Sequence, residues 1–527
     1  MKLEALTLQS IEERLEARFS KGKLKLNNLP SPYLFKDMQK ATERIVRAIE
    51  AKEPIVLIGD YDVDGVSATT IVKSFFDAID YPLTWIIPNR FRDGYGLSAG
   101  LIPRIEGHTL AITVDNGIAA VEAATLCQEK GIDLIITDHH LLPPTLPQAY
   151  AIIDQQQPEC DFPYKEVCGA QIAWYLCASL KRALKTNIDM KAFLDLVAIA
   201  TIADVMPLQH INHAMVRTGL TIFAQTDRPA FRAFREQREQ ETFTAEDVAF
   251  FLAPLLNSAG RMDDAKYAVE FLLSTNIYDA RVRLERLKSF NEARKAEEAR
   301  ITKEAYERCK EEDAVTIAVG AGWHEGVLGI VASRLVDKMQ KPALVLTKQE
   351  DGTLKGSGRN DGKCDLFGLL SCSRELFTKF GGHAAAVGLS LQERDLAQLQ
   401  QNLQRDYDAF KASAVSKSEA LLGELSFSYI GFELVRLLKQ FEPFGEGNPR
   451  PQFFTKAVEI LQVDRMGKES EHHRFLFRHE GVVFPGVRFR SDEEYTAGSM
   501  VDLIYRVNEN HFRGETTLQL MVEEIIS

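Results

Sequence analysis

The sequence has few cysteines and no long apolar segment. Seven cysteines are scattered through 527 residues, none in Cys-x-x-Cys spacing, which argues against a disulfide framework. Residues 1–19 carry acidic side chains throughout and lack the apolar centre of a signal peptide. No apolar run approaches the ~20 residues that cross a bilayer. These absences predict a soluble protein of the reducing cytoplasm that makes no membrane contact.

An excess of positive charge is also absent. The net charge of −12 argues against a coat protein that binds nucleic acid by neutralising its phosphates. It does not exclude an enzyme with a local basic groove, because a cluster of acidic metal ligands adds negative charge that bound cations offset. Hydrophobic residues make up 45% of the chain, enough apolar material for the about three or four domains that its length predicts.

Short, continuously apolar runs begin near residue 55 and alternate with helical patterns at 67–78 and 119–130. Continuous apolarity indicates strands buried on both faces, as in a parallel sheet covered by helices. The predicted strands are 55–58, 83–87, 110–114, 134–137 and 151–153. The pattern therefore predicts an α/β fold.

Downstream, the pattern predicts further units. Residues 279–313 are rich in charge and contain no Gly or Pro, which predicts a solvated connecting helix. A polar helical link is predicted over 393–425, and five or six short strands beyond it fit a small barrel. The predicted domains are an N-terminal helical segment (1–50), a catalytic domain (51–230), a helical region with the connecting helix (231–313), a smaller α/β substrate-binding domain (314–412) and a β-barrel (426–527).

Acidic and histidine residues follow three of the predicted strands. They are Asp60, Asp62 and Asp64 after the first strand, Asp115 after the third, and Asp138, His139 and His140 after the fourth. Asp204 closes the apolar helical run 194–203. Because ligands bind beyond the carboxyl ends of parallel strands, we expect these side chains to gather at one edge of the sheet.

So many carboxylates cannot lie together ionised without cations between them. Carboxylate oxygens combined with one or two imidazoles suit Mn²⁺ or a similar metal better than Ca²⁺ or thiolate-bound Zn²⁺. Two such ions about 3.5–4 Å apart can activate water and stabilise both oxygens of an in-line displacement at phosphorus. The cluster therefore predicts a phosphodiesterase that uses two divalent metal ions, Mn²⁺ or Mg²⁺.

Four segments resemble the successive motifs of the DHH phosphoesterase superfamily. They are Asp62-Val63-Asp64-Gly65, Asp115-Asn116-Gly117, Asp138-His139-His140 and Ile202-Ala203-Asp204. The resemblance implies that Asp62, Asp64, Asp115, His139 and Asp204 are metal ligands, that Asp115 bridges the metals, and that Asp60 supports or joins the set. It also implies catalytic roles beside the metals for Asp138 and His140. Ile58 stands where many members have a histidine, so we expect the first metal to rely on Asp60 instead.

Further segments resemble the RecJ exonuclease family within this superfamily. They are Pro88-Asn89-Arg90, Gly94-Tyr95-Gly96-Leu97, Asn257-Ser258-Ala259-Gly260-Arg261, Gly356-Ser357-Gly358-Arg359 and Gly381-Gly382-His383, the last two in a DHHA1-like substrate domain. The resemblance implies that Arg90, Asn257, Arg261, Ser357, Arg359, Gly381, Gly382 and His383 bind substrate, with His383 also catalytic. Gly-Ser-Gly-Arg offers open backbone N–H groups, a hydroxyl and a guanidinium to a terminal phosphate. Asn360 stands where relatives often have serine.

The C-terminal region resembles the OB-type domain of the same family, introduced by residues 441–449. OB barrels bind single strands through basic grooves and aromatic stacking. Suitable residue types are Arg474, Arg478, Arg488, Arg490, Arg506 and Arg513, with Phe475, Phe489 and Phe512. Alternate aromatic residues in a barrel also serve as its core, so no individual DNA contact is assigned.

The resemblance implies a single-stranded-DNA-specific 5′-to-3′ exonuclease that releases 5′ mononucleotides in DNA recombination and repair. A single-strand binding protein is an implied partner, and a monomer is expected because one chain supplies every part of the site. One alternative is an oligoribonuclease or cyclic-dinucleotide phosphodiesterase, whose resemblance would stop before the barrel. Another is a non-catalytic replication factor, which would have lost metal ligands that this sequence retains.

Overall fold

The computed structural model describes residues 4–19, 24–238, 242–310, 312–383, 385–411, 420–467, 471–491, 493–512 and 515–526, without the side chains of 383, 511 and 512. The helices are α1 Leu8–Ala17, α2 Met38–Ala51, α3 Val63–Ala78, α4 Ile102–Ile105, α5 Val121–Glu129, α6 Gly169–Leu184, α7 Leu194–Ala203, α8 His210–Gln225, α9 Pro229–Glu236, α10 Ala245–Asp247, α11 Ala253–Met262, α12 Lys266–Leu272, α13 Ile277–Tyr306, α14 Leu328–Met339, α15 Leu366–Ser371, α16 Leu396–Asp406 and α17 Phe432–Lys439.

The strands form three sheets. They are β1 Ile55–Ile58, β2 Leu83–Ile86, β3 Leu110–Val114, β4 Asp133–Thr137, β5 Ala151–Ile153, β6 Thr316–Ala321, β7 Ala343–Lys348, β8 Thr353–Arg359, β9 Phe377–His383, β10 Ala386–Gln392, β11 Leu421–Glu424, β12 Gln452–Met466, β13 His472–His479, β14 Val482–Phe489, β15 Met500–Phe512 and β16 Glu515–Ile526. No helix among these residues is long and apolar enough to cross a membrane.

The first sheet is wholly parallel, in the order β2-β1-β3-β4-β5. Every residue of β1 and β3 is buried, because helices cover both faces and leave no side of these strands to water. Val56 and Leu57 of β1 belong to separate apolar cores on opposite faces. The predicted α/β fold is therefore confirmed.

The larger of these two cores continues into the helical region, from Phe35 to Leu287. It therefore joins the sheet to helices as far as the first turns of α13. The connecting helix is less solvated than predicted. Its residues Ala280, Leu284, Leu287, Ile301 and Ala305 are buried, because one narrow face packs on the catalytic half and then on α14.

The second sheet is mixed, in the order β6-β7-β8-β10-β9. β6 and β7 are parallel, and the other pairs are antiparallel. The predicted link over 393–425 is wrong in two places. Leu399 and Leu403 of α16 are buried in the core of this domain, and β11 is a strand that pairs with β12 of the barrel. Polar residues on the outer face of α16 concealed its amphipathic pattern.

The third sheet closes on itself because β12 pairs with both β13 and β15. The ring β12-β13-β14-β16-β15 is a five-stranded barrel, with β11 added beside β12. Its core includes Phe453, Phe475, Phe477 and Tyr505. The predicted C-terminal barrel is confirmed, and Phe475 is part of its interior.

The N-terminal segment 1–50 divides between two cores. Ile11 and Leu15 of α1 pack into the barrel core, whereas α2 packs on the parallel sheet. A bridge between Ala5 and Glu424 fixes α1 beside β11, and Arg18 donates to the carbonyl of Pro449. The segment therefore fastens the barrel to the catalytic domain.

Candidate active site

The ends of β1, β3 and β4 bring the predicted acids and histidines to one edge of the parallel sheet. β1 lies between β2 and β3, and β4 is the next strand. Asp60 and Asp115 are each 1% exposed. Asp115 has a left-handed φ of 63°, a conformation that costs free energy in a non-glycine residue and is found at functional sites.

Two helix N-termini hold neighbouring aspartates. Asp62 caps α3 by accepting hydrogen bonds from the N–H groups of Asp64 and Gly65. Asp64 accepts from Gly169 at 2.6 Å and Ala170 at 2.8 Å, at the start of α6. Position 169 requires glycine, because a Cβ there would lie 2.5 Å from Oδ1 of Asp115.

His139 lies at the centre of the cluster. Its Nε2 is 3.2 Å from Asp115, 3.6 Å from Asp64 and 3.7 Å from Asp204. Three groups of side chains each offer ligand atoms within 4.8 Å of one another: Asp60, Asp62 and Asp115; Asp64, His139 and Asp204; and Asp115, His139 and His140. Asp115 and His139 each belong to two of these groups, so the overlapping groups fit two neighbouring cations.

The chemistry of the cluster also fits divalent cations. One carboxyl oxygen each of Asp60, Asp115 and Asp204 is buried without a hydrogen-bond partner among the described residues. Burial and then repulsion by neighbouring carboxylates raise the pKa of Asp60, Asp62 and Asp115, and raise that of Asp204 to about 8. Burial lowers the pKa of His139, which favours the neutral ring that coordinates metal. Mn²⁺ and Mg²⁺ both suit this carboxylate-rich set.

These shifts predict how stability depends on pH. An acid whose pKa is higher in the folded than in the unfolded protein keeps its proton longer when folded, so stability falls as pH rises. In EDTA we expect the melting temperature to fall as the pH rises from 6.5 to 8, because the pKa of Asp204 is raised to about 8. Saturating Mn²⁺ should restore at least about 5 °C at pH 8. Differential scanning fluorimetry tests this, and a melting temperature that rises with pH in EDTA would contradict it.

Asp138 positions His140. Its Oδ1 accepts from Nδ1 of His140 at 2.7 Å and from two backbone N–H groups, while its Oδ2 accepts from the N–H of Ile118. Burial lowers the pKa of His140, but the hydrogen bond to Asp138 and nearby carboxylates outweigh it and raise the pKa to about 9. Nε2 lies 3.4 Å from the hydroxyl of Tyr95. A fixed, positively charged ring therefore stands beside the acids.

Three of the predicted substrate-binding arginines come from distant segments and meet beside the acids. Arg90 lies over the ring of Tyr61, 5.1 Å from its centroid. Burial and the charges of Arg90 and Arg359 lower the pKa of Arg261 to about 10. No described carboxylate lies within 4 Å of any of the three, whereas other arginines of the chain do form such pairs. A cationic group of this kind suits a phosphate.

The two α/β domains meet at this arginine cluster. Arg261 lies in the last turn of α11 and donates to the carbonyl of Gly326, which precedes α14. Arg359 lies over the first turn of α14, where a Cβ on Gly329 would come within 2.7 Å of its Nη2. The positive end of the α14 dipole therefore adds to the arginine charges.

The expectation of open backbone N–H groups in Gly356-Ser357-Gly358-Arg359 is wrong. The segment belongs to β8, which pairs with β7 on one side and β10 on the other. Glycine here allows close strand packing, since a Cβ on Gly358 would lie 2.5 Å from Leu344. Within this segment, the side chains of Ser357 and Arg359 lie on the face of the sheet that packs against α14.

The other predicted substrate residues lie around this junction. Asn257 is half-buried on α11, whose Gly260 approaches Tyr61 so closely that a Cβ would lie 2.6 Å from its carbonyl. Gly381 and Gly382 are exposed on β9, at the edge of the second sheet. His383 ends β9, but its side chain lies outside the described residues. Tyr61 and Gly169 were missed because neither residue type indicates a metal or phosphate site.

The basic residues of the barrel are mostly paired. Arg478, Arg488 and Arg506 pair with Glu459, Glu493 and Glu523 respectively. Arg474 and Arg490 are exposed, and Phe489 is 50% exposed. Arg513 and the Phe512 side chain lie outside the described residues. The predicted basic groove therefore reduces to a few candidate contacts.

Comparison with known proteins agrees with these features. Residues 54–201 match the DHH family, N-terminal domain, residues 312–408 the DHHA1 domain, and residues 423–524 the RecJ OB domain. A single-stranded-DNA-specific exonuclease RecJ of Salmonella typhimurium is 34% identical over 518 residues, covering 92% of this chain and 89% of the relative. The chain belongs to the RecJ family. Its RecJ relative from Bacillus subtilis is 33% identical, and the chain covers 64% of that longer protein.

Solved structures of RecJ proteins share the fold. The crystal structure of RecJ in complex with Mn²⁺ from Thermus thermophilus superposes with a TM-score of 0.84 at 24% identity, over 100% of this chain and 79% of that one. A structure of exonuclease RecJ bound to manganese gives a TM-score of 0.63 at 27% identity, over 71% of this chain and 95% of that one. The Thermus thermophilus structure therefore shares the fold over the full length of this chain.

Proposed function

We propose that the protein hydrolyses single-stranded DNA from its 5′ end, with two divalent cations, and releases 5′ mononucleotides. The observation that carries the proposal is the proximity of two features. A carboxylate and histidine cluster that fits two cations lies beside three arginines that have no carboxylate partner among the described residues. The RecJ relatives are named as single-stranded-DNA-specific exonucleases, which supports the choice of substrate.

Asp60, Asp62, Asp64, Asp115, His139 and Asp204 are the proposed metal ligands. Mn²⁺ or Mg²⁺ held by them would supply an activated water and stabilise the charge that develops at phosphorus. Asp138 holds Nδ1 of His140 at 2.7 Å, so Nε2, beside the Tyr95 hydroxyl, can donate to a phosphate oxygen. A cationic His140 beside the buried acids would stabilise the negatively charged transition state.

The proposed 5′ polarity rests on the arginine cluster. A terminal phosphate carries more charge than an internal one, so it gains more from Arg90, Arg261, Arg359 and the start of α14. Ser357 adds a hydroxyl on the same face of the sheet. A strand anchored there by its end would present its first internucleotide phosphate to the acids. One nucleotide would then be released in each cycle.

An oligoribonuclease or cyclic-dinucleotide phosphodiesterase would need only the first two domains. The barrel favours a longer substrate, because it is fixed to the catalytic domain by α1 and by the hydrogen bond from Leu208 to Glu446. We propose that it holds the trailing strand. We also propose that the protein is a monomer and that a single-strand binding protein is its partner. We propose that it acts in the cytoplasm, where its seven free cysteines would stay reduced.

A preference for single strands follows from the depth of the acids. Because Asp60 and Asp115 are buried, a scissile phosphate must leave a base-paired end to reach them. Opening two base pairs at ~1.4 kcal/mol each predicts roughly 10²-fold slower cleavage of a blunt duplex than of the same strand alone. Initial rates on the two forms of one oligonucleotide measure the difference. Equal rates would contradict the proposal.

A further inference from the structure

An unassigned groove lies between α13 and α14, outside the proposed active site. Its volume is about 760 Å³, within the ~300–1,000 Å³ that small-molecule sites occupy. Five basic side chains line it: Arg294, Lys295, Lys303, Arg334 and Lys338. Glu298 and Glu307 oppose them in the lining, and Glu292 pairs with Lys295 at 2.9 Å. The groove is therefore cationic, although the whole chain has a net charge of −12.

The floor of the groove is a fixed ion triad. Glu298 is 8% exposed and lies 2.8 Å from Arg294 and 2.9 Å from Arg334. One carboxylate is thus shared by two guanidinium groups, each of which has five N–H donors. Positive charge and unused donors remain after this pairing. Because Arg334 belongs to α14, the triad also fixes the second domain against the connecting helix.

The outer walls combine free charge with an aromatic ring. Lys303 is exposed and has no carboxylate partner among the described residues. Lys338 lies 3.4 Å from the centroid of the Tyr306 ring, which is 40% exposed. Cations beside a partly exposed aromatic ring suit a nucleotide, because its phosphate pairs with the cations and its base contacts the ring.

The inner end of the groove adjoins the arginine cluster. Arg294 contributes to the lowered pKa of Arg261, after burial and the charges of Arg90 and Arg359. α14 begins beneath Arg359 and carries Arg334 and Lys338 further along its length. The positive charge of the groove therefore reaches the proposed phosphate site through Arg294.

We propose that this groove is a second binding site for nucleotide phosphate groups. Two sources offer that chemistry: the released 5′ mononucleotide, and another stretch of DNA strand outside the active site. The choice between these sources rests on the proposed exonuclease function, but binding in the groove needs no cleavage. The two ideas can therefore fail separately.

The test is lysine footprinting of the intact protein with Mn²⁺ bound. The acetylation rates of Lys295, Lys303 and Lys338 are measured by mass spectrometry with thymidine 5′-monophosphate, with a hydrolysis-resistant phosphorothioate oligothymidylate, or with thymidine. Lys185 and Lys191, exposed on the catalytic domain, are the controls. At saturating ligand we expect at least about threefold protection of the groove lysines by one or both phosphate ligands and none by thymidine.

The pattern of protection assigns the source. Protection by the monophosphate alone supports a route for the product, and protection by the oligonucleotide supports a second DNA contact. The double variant Lys303→Glu/Lys338→Glu should abolish the protection of Lys295 while the melting temperature stays unchanged. Absence of protection by either phosphate ligand, or equal protection by thymidine, would overturn the proposal even if the protein cleaves DNA.

Discussion

Replacing Asp115 with asparagine should reduce the rate of single-strand hydrolysis by at least ~10³-fold. Asp115 belongs to two of the three groups that can hold a cation, so both ion sites lose a charged ligand. The variant should still fold, because burial and neighbouring carboxylates already raise the pKa of Asp115 and disfavour its charge. Initial rates with Mn²⁺, together with melting temperatures in EDTA and in Mn²⁺, measure both effects.

Asp154→Asn is the matched control for Asp115→Asn. Asp154 is also a buried acid that follows a strand of the parallel sheet, but it lies outside all three groups. Burial raises its pKa to about 7, so asparagine resembles its protonated form. We expect activity within about threefold of the unaltered protein. Comparable losses of activity in the two variants would show that Asp115 acts as a buried acid and not as a metal ligand.

Arg359→Ala should remove most of the preference for a 5′-phosphorylated strand. Losing a charge-assisted contact of about 1.5–3 kcal/mol lowers kcat/KM on the phosphorylated strand by roughly 10–100-fold. Cleavage of the matching 5′-hydroxyl strand should change much less, because that strand offers Arg359 no terminal charge. The ratio of kcat/KM on the two strands is the measurement.

Lys355→Ala provides the control on the same strand. Lys355 lies four residues before Arg359, and Glu325 already neutralises it. We expect this variant to keep the preference for the phosphorylated strand. If Arg359→Ala lowers kcat/KM equally on both strands, the guanidinium supports the junction of the two domains and does not recognise the terminal phosphate.

The sequence predicted the sheet and the gathering of acids for one physical reason. Strands buried on both faces read as continuous apolar runs, and their carboxyl ends share one edge. Asp60, Asp115 and His139 could therefore be placed together without knowledge of any contact. The hydrogen bonds that hold the acids could not be predicted. Those from Gly169 and Ala170 to Asp64, for example, join segments about a hundred residues apart.

Local composition misled the prediction at Gly356-Ser357-Gly358-Arg359. Glycine-rich segments usually indicate turns, but here glycine allows a central strand to pack closely between neighbours. The polar surface of α16 similarly concealed the contacts of Leu399 and Leu403. The attachment of α1 to the barrel joins opposite ends of the chain, and no local pattern carries that information.

Digestion of a 5′-phosphorylated single strand, labelled at one end or the other and with Mn²⁺ present, tests 5′ exonuclease activity directly. We expect the 5′ label to appear at once as a mononucleotide, while the 3′-labelled strand shortens stepwise. Immediate release of the 3′ label, or internal fragments from both substrates, would contradict an exonuclease that anchors the 5′ end at Arg90, Arg261 and Arg359.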